Sequence, residues 1–128
     1  VSFIAYPFFI PKNKSIYFGS IKILNQIDIA VMKIIAISQR GKKRDFYDLY
    51  WCAKNLLPLE DIIKKLDNQY PTINHNFNHI FKSLTYFADA ENDPQPKIFF
   101  KAAWPEVKRF FQTEVKKMLK QLFNAGYR

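Results

Sequence analysis

The sequence predicts an α+β chain, mostly helical, in which a β-hairpin over residues 1–24 feeds a bundle of about five helices over residues 25–128. Three observations lead there. Residues 2–10 and 15–24 are runs of β-branched and aromatic side chains, separated by the polar turn Pro11, Lys12, Asn13 and Lys14. From Asn25 onward, apolar residues recur at helical spacing in five stretches. The 128 residues include thirteen Phe, seven Tyr and two Trp, enough to fill the core of a single domain.

Pro7 marks the first strand as an edge, and Gly19 with Ser20 allows a bend in the second. Such a hairpin must pack on something; the expectation is pairing with a second copy in a homodimer, or cover by the last helix. Asn25 reads as an N-cap for a helix over 26–40, with Asp28 in its first turn and Gly41 as its stop. Ile27, Ala30, Val31, Ile34 and Ile37 form its core stripe. The second helix, 43–55, carries Phe46, Leu49, Tyr50 and Ala53; the third, 59–69, carries Leu59, Ile62, Ile63 and Leu66. The fourth, 75–87, carries Phe77, Ile80, Phe81 and Leu84. Residues 89–96 are acidic with two prolines and read as a loop. The last helix, 104–124, tolerates Pro105 in its first turn and carries Val107, Phe110, Phe111, Val115, Met118, Leu119 and Leu122.

The net charge is +9, distributed as +6 over residues 1–57, −3 over 58–96 and +6 over 97–128. Two basic ends around an acidic middle suit a polyanionic partner, RNA or nucleotide phosphates, although solubility alone also explains such charge. No apolar run reaches the roughly 18 residues of a membrane span, so no membrane is expected. Residues 1–10 lack a basic lead and a small-residue cleavage site, so they do not read as a signal peptide. With Cys52 as the lone cysteine, a reducing, cytoplasmic setting is the expectation.

Residues 28–50 carry the most chemistry. Lys33 and Arg40 lie seven residues apart on one stripe, with small Ala36 between them. After the Gly41 turn come Arg44, Asp45 and Asp48, where Arg44 and Asp48 are spaced to pair. Two cations thus face two carboxylates on the neighbouring helix. One reading is an ion-pair clamp between helices. The other leaves Arg40 on the acids and frees Lys33 as a point charge for phosphate.

The pattern Lys33-x-x-Ala36-x-x-x-Arg40-x-x-x-Arg44-Asp45-x-x-Asp48-Leu49 resembles the third motif of the AbiEii/AbiGii-type nucleotidyltransferase toxins of bacterial toxin–antitoxin and phage-defence systems. VSFIAYPFF, NQIDIAVMK, RDFYDLYWC and LTYFADAENDPQPKIFF followed by Trp104 resemble the C-terminal half of one branch, over about residues 1–110. The resemblance implies an NTP- and Mg²⁺-dependent enzyme similar to polymerase-β-type transferases, with tRNA as acceptor in some members and a cognate antitoxin as partner. It implies that Lys33 contacts nucleotide phosphates, and that Asp45 and Asp48 support that site or position acceptor or metal. The family's metal-holding Asp-x-Asp does not occur in this sequence. Asp28, and the acids at 89, 91 and 93, do not reproduce it in a strand. The chain is therefore expected to act as the phosphate- and acceptor-side half of such an enzyme, inactive alone and holding no metal itself. The alternative is a non-catalytic basic module that binds RNA or a protein.

Three further features read more weakly. His75 and His79 are spaced as a metal pair but lack completing ligands. Cys52 reads as a buried thiol. Lys116, Lys117 and Lys120 form a basic face on the last helix, either simply solvated or in contact with RNA or an acidic partner.

Overall fold

The computed structural model describes residues 16–18, 21–23, 25–66, 77–98 and 100–124. Within them the fold is helical, which corrects the expected α+β class. The second expected strand, 15–24, contains two short strands and not one. Strand β1 (Ile16–Phe18) folds back antiparallel on β2 (Ile21–Ile23), in the register Ile16↔Ile23, Tyr17↔Lys22 and Phe18↔Ile21. Strands of three residues make a ribbon, too small to form a sheet layer. Residues 2–10, and with them the expected pairing of two copies, lie outside the described residues.

Helix α1 (Gln26–Gln39) begins as expected. Asn25 is extended, and its Oδ1 accepts the Ile27 N–H at 2.8 Å. The helix ends where the Arg40 N–H reaches the Ala36 carbonyl and Gly41 takes φ +57°, a left-handed conformation that glycine adopts without strain. Every residue from 30 to 37 is buried, so α1 is the central helix and not a one-faced amphipathic one. It packs against α2 (Lys43–Asn55), α3 (Leu59–Lys64) and α4 (Phe77–Leu84). The expected third helix, 59–69, is described as helix only through Lys64, with Leu66 buried just beyond.

The segment expected to be a loop, 89–96, begins in a one-turn helix, α5 (Ala88–Glu91). Helix α6 (Trp104–Asn124) then lies across α2, α3 and α4. It buries Val107, Phe111, Val115 and Met118, whereas Leu119, expected on the same stripe, is exposed.

The centre of the core is aromatic. The Phe46 ring meets Phe87 at 5.2 Å, Phe111 at 5.5 Å and Trp104 at 5.8 Å between centroids. Tilted and edge-on pairs of this kind add about 0.5–1.5 kcal/mol each beyond the area they bury. They join α2, α5 and α6 and hold the start of α2 in place.

Candidate functional site

Lys33 sits in the middle of the most buried stretch of α1 and is 5% exposed. A lysine there must find acceptors or lose its charge. It finds two on α2: Nζ lies 3.2 Å from Asp45 Oδ1 and 3.0 Å from Asp48 Oδ2. Arg40, at the end of α1, reaches the same Asp45 with a fork, Nε to Oδ2 at 2.9 Å and Nη2 to Oδ1 at 3.0 Å. Asp45 is 1% exposed, Asp48 is partly open to solvent, and the Arg40 side chain is about half exposed.

The four residues expected to meet do meet, as an ion-pair clamp between the two helices, one of the two arrangements expected. Lys33 is the buried partner of both carboxylates, and Arg40 is the solvent-facing one. Arg44 is exposed, and Asp48 pairs with Lys33 in its place. The reason is the helix start. Asp45 lies in the first turn of α2, directly after the Gly41 reversal, so it faces back onto α1.

This donor set does not fit Mg²⁺. Both Asp45 oxygens already accept from cations, and one Asp48 oxygen lies on Lys33. A magnesium ion needs oxygen ligands not neutralised by ammonium or guanidinium. Among the described residues no group of three or more His, Cys, Asp or Glu is placed to hold a metal ion.

Cys52 lies one turn beyond Asp48 and is buried. Burial, then the Asp48 charge, push its thiol up to about 11, with Lys33 pulling the other way. His79 sets its Nε2 3.0 Å from the Ser38 carbonyl, fastening α4 to the end of α1; His75 lies outside the described residues. Lys116, Lys117 and Lys120 are exposed on α6, with Lys117 3.2 Å from Glu114.

Two of the acids of 89–93, Glu91 and Asp93, are committed to packing, whereas Asp89 is exposed. Glu91 accepts the Trp104 indole N–H and pairs with Lys108 at 3.1 Å, contacts that hold its carboxyl below the usual range. Asp93 accepts the backbone N–H of Lys43 at 2.9 Å. Gln95 bonds the Tyr47 hydroxyl, and the Tyr50 hydroxyl donates to Glu106 at 2.7 Å. Reading the sequence had missed all of these. One signal was present: Lys42, the N-cap of α2, has no side-chain acceptor, so an acceptor for that helix start must come from elsewhere.

The chain matches the family described as "Nucleotidyl transferase AbiEii toxin, Type IV TA system" over residues 12–125. It is also similar to Uncharacterized protein aq_aa25 of Aquifex aeolicus (strain VF5), 43% identical over 96 residues. That match covers 72% of this chain and 43% of the relative, so the chain spans under half the relative's length. No solved structure matches the chain at a significant level. No helix among the described residues is long and apolar enough to cross a membrane.

Proposed function

The chain belongs to the AbiEii nucleotidyltransferase toxin family of type IV toxin–antitoxin systems, and on that premise we propose that it supplies the phosphate- and acceptor-side half of an NTP-dependent nucleotidyltransferase. The observation that carries this reading is the Lys33 ammonium held between Asp45 and Asp48, one of them partly open to solvent. On this reading a phosphate oxygen enters beside Asp48 and meets the ammonium, which the two flanking acids hold in place. Arg40 and Asp45 position it.

Mg²⁺ would neutralise charge developing on the transferred phosphoryl group, but the acids here are neutralised by Lys33 and Arg40 and are not its ligands. The chain alone therefore binds NTP weakly and does not transfer it. A cognate antitoxin is the partner that membership in such a family implies.

The test combines labelled NTPs, total tRNA and this chain, with and without Mg²⁺. No labelling is expected, while NTP binding should be weak, in the millimolar range or about 4 kcal/mol, and should decline with salt. Lys33→Ala should weaken binding. Because that change also removes a buried ion pair, Asp48→Asn serves as the second variant. It removes the anion that competes for the ammonium and should tighten binding. Metal-dependent labelling by the chain alone would overturn the half-enzyme reading. Binding indifferent to both variants would overturn the role of Lys33.

A second reading, a non-catalytic basic module, draws on the exposed Lys116, Lys117 and Lys120 of α6. It is favoured if RNA or an acidic protein binds through these lysines while NTP does not bind at all.

A further inference from the structure

The start of α2 makes a demand that its own residues do not meet. Its N-cap, Lys42, offers no side-chain acceptor, so the N–H groups of the first turn need a partner from elsewhere. Asp45, three residues on, stands where an acid ordinarily reaches back to its own helix start. It does not do so here, because both its oxygens lie on Lys33 and Arg40. Asp93 serves the helix start in its stead, accepting the Lys43 N–H at Oδ2. We propose that Asp93 is a positioning residue for the ion-pair site: by satisfying the start of α2 it leaves Asp45 to hold Lys33 and Arg40. Its effect on ligand binding rests on the reading of Lys33 as the phosphate contact.

Asp93 is itself held for this task. Lys43 is 8% exposed, returns a bond from Nζ to the Asp93 carbonyl at 2.9 Å, and sets its ammonium 5.3 Å from the Trp104 ring centroid. Alternate residues on either side are fastened as well. Glu91 accepts the Trp104 indole N–H and pairs with Lys108 at 3.1 Å. Gln95 donates to the Tyr47 hydroxyl at 3.0 Å. A cap carried on a segment fastened on both sides is in place before any ligand arrives.

In Asp93→Ala the Lys43 N–H loses its acceptor, and Asp45 is the acid of the same helical turn. A carboxylate shared with the helix start gives up part of its hold on Lys33. Such a change is local to the site and separates positioning from a loss of stability alone.

Proton–nitrogen spectra of the lysine ammonium groups read this without any ligand. Only ammonium protons sheltered by burial and ion pairs persist long enough to be seen, so Lys33 should give a signal, identified by its loss in Lys33→Arg. Asp93→Ala should shift and broaden that signal, and Asp93→Asn, which keeps an acceptor, should restore it. Asn25→Ala removes the cap of α1, a loss of stability of the same order, and should leave the signal in place. The positioning role is overturned if the parent shows no sheltered Lys33 signal, if Asp93→Ala leaves the signal unmoved, or if Asn25→Ala moves it as far. With ATP as the probe, Asp93→Ala should weaken binding about five-fold, the equivalent of a lost cap of about 1 kcal/mol, and Asp93→Asn should restore it. ATP binding that falls in Lys33→Ala but not in Asp93→Ala also overturns the role. ATP binding indifferent to Lys33→Ala and Asp48→Asn is instead a failure of the phosphate reading, and the ammonium spectra then decide the role of Asp93 alone.

Discussion

Asp93 accepts the backbone N–H of Lys43 at 2.9 Å, and Lys43 Nζ donates in return to the Asp93 carbonyl oxygen at 2.9 Å. Fifty residues separate them in sequence. The acidic segment thereby caps the first turn of α2, the turn that carries Asp45. A carboxylate there also suits the positive end of the helix dipole. Asp93→Ala should lower stability by about 0.5–2 kcal/mol, the usual cost of a lost N-cap. Asp93→Asn keeps an acceptor and should cost less. Urea denaturation checks both, and an Asp93→Ala midpoint equal to the parent's would remove the cap from the account.

The two cations on Asp45 should differ in their weight for folding. Lys33→Ala leaves the partly exposed Asp48 without its lysine and the buried Asp45 with Arg40 alone, and should cost about 3 kcal/mol, the lower end for a broken buried pair. Arg40→Ala should cost clearly less. Its guanidinium is half exposed and screened, and Asp45 retains Lys33. Equal losses in urea melts, or a larger loss for Arg40→Ala, would contradict the burial-based ranking.

Cys52 should be inert in the native chain. Its thiol is buried and pushed up to about 11, first by burial and then by Asp48, while the thiolate is the reactive form. Iodoacetamide at pH 8 should alkylate it slowly under native conditions and rapidly in urea, as read by mass spectrometry. Rapid native alkylation would show that the lower end of α2 opens readily.

Stability should fall in strong base, and Tyr50 should account for part of the fall. Burial, then its hydrogen bond to Glu106, push its hydroxyl from 10.0 to about 12. Between those values the unfolded chain has released the proton and the folded chain has kept it. The stabilisation is therefore whole below pH 10 and is lost as pH rises toward 12. Cys52, raised from 9.0 to about 11, acts with the same sign slightly lower. Tyr50→Phe should flatten the upper part of the decline in denaturant midpoints measured from pH 9 to pH 12.

What the sequence made legible was local. Asn25 and Gly41 announced both ends of α1, because an N-cap and a left-handed stop depend on residue type at single positions. The meeting of Lys33, Arg40, Asp45 and Asp48 was legible because helical spacing fixes which side chains share a stripe. Which cation is buried was not legible, since it depends on how deep α1 lies, and that is set by α3, α4 and α6 packing around it. The strand reading of 15–24 failed for a related reason. A β-branched run reports a preference for extended backbone but not where that backbone turns. Asp93 on Lys43 left no periodic trace at all, because a contact between a loop and a helix start has no repeat in sequence.

Lys33 and Arg40 stand seven residues apart, about 10.5 Å along the axis of α1, yet both end on the one carboxylate of Asp45. The carboxylate is held from above and below like a pin in a bracket. Sliding α2 along α1 toward either cation must pull it away from the other, so the two helices are locked in register and move together.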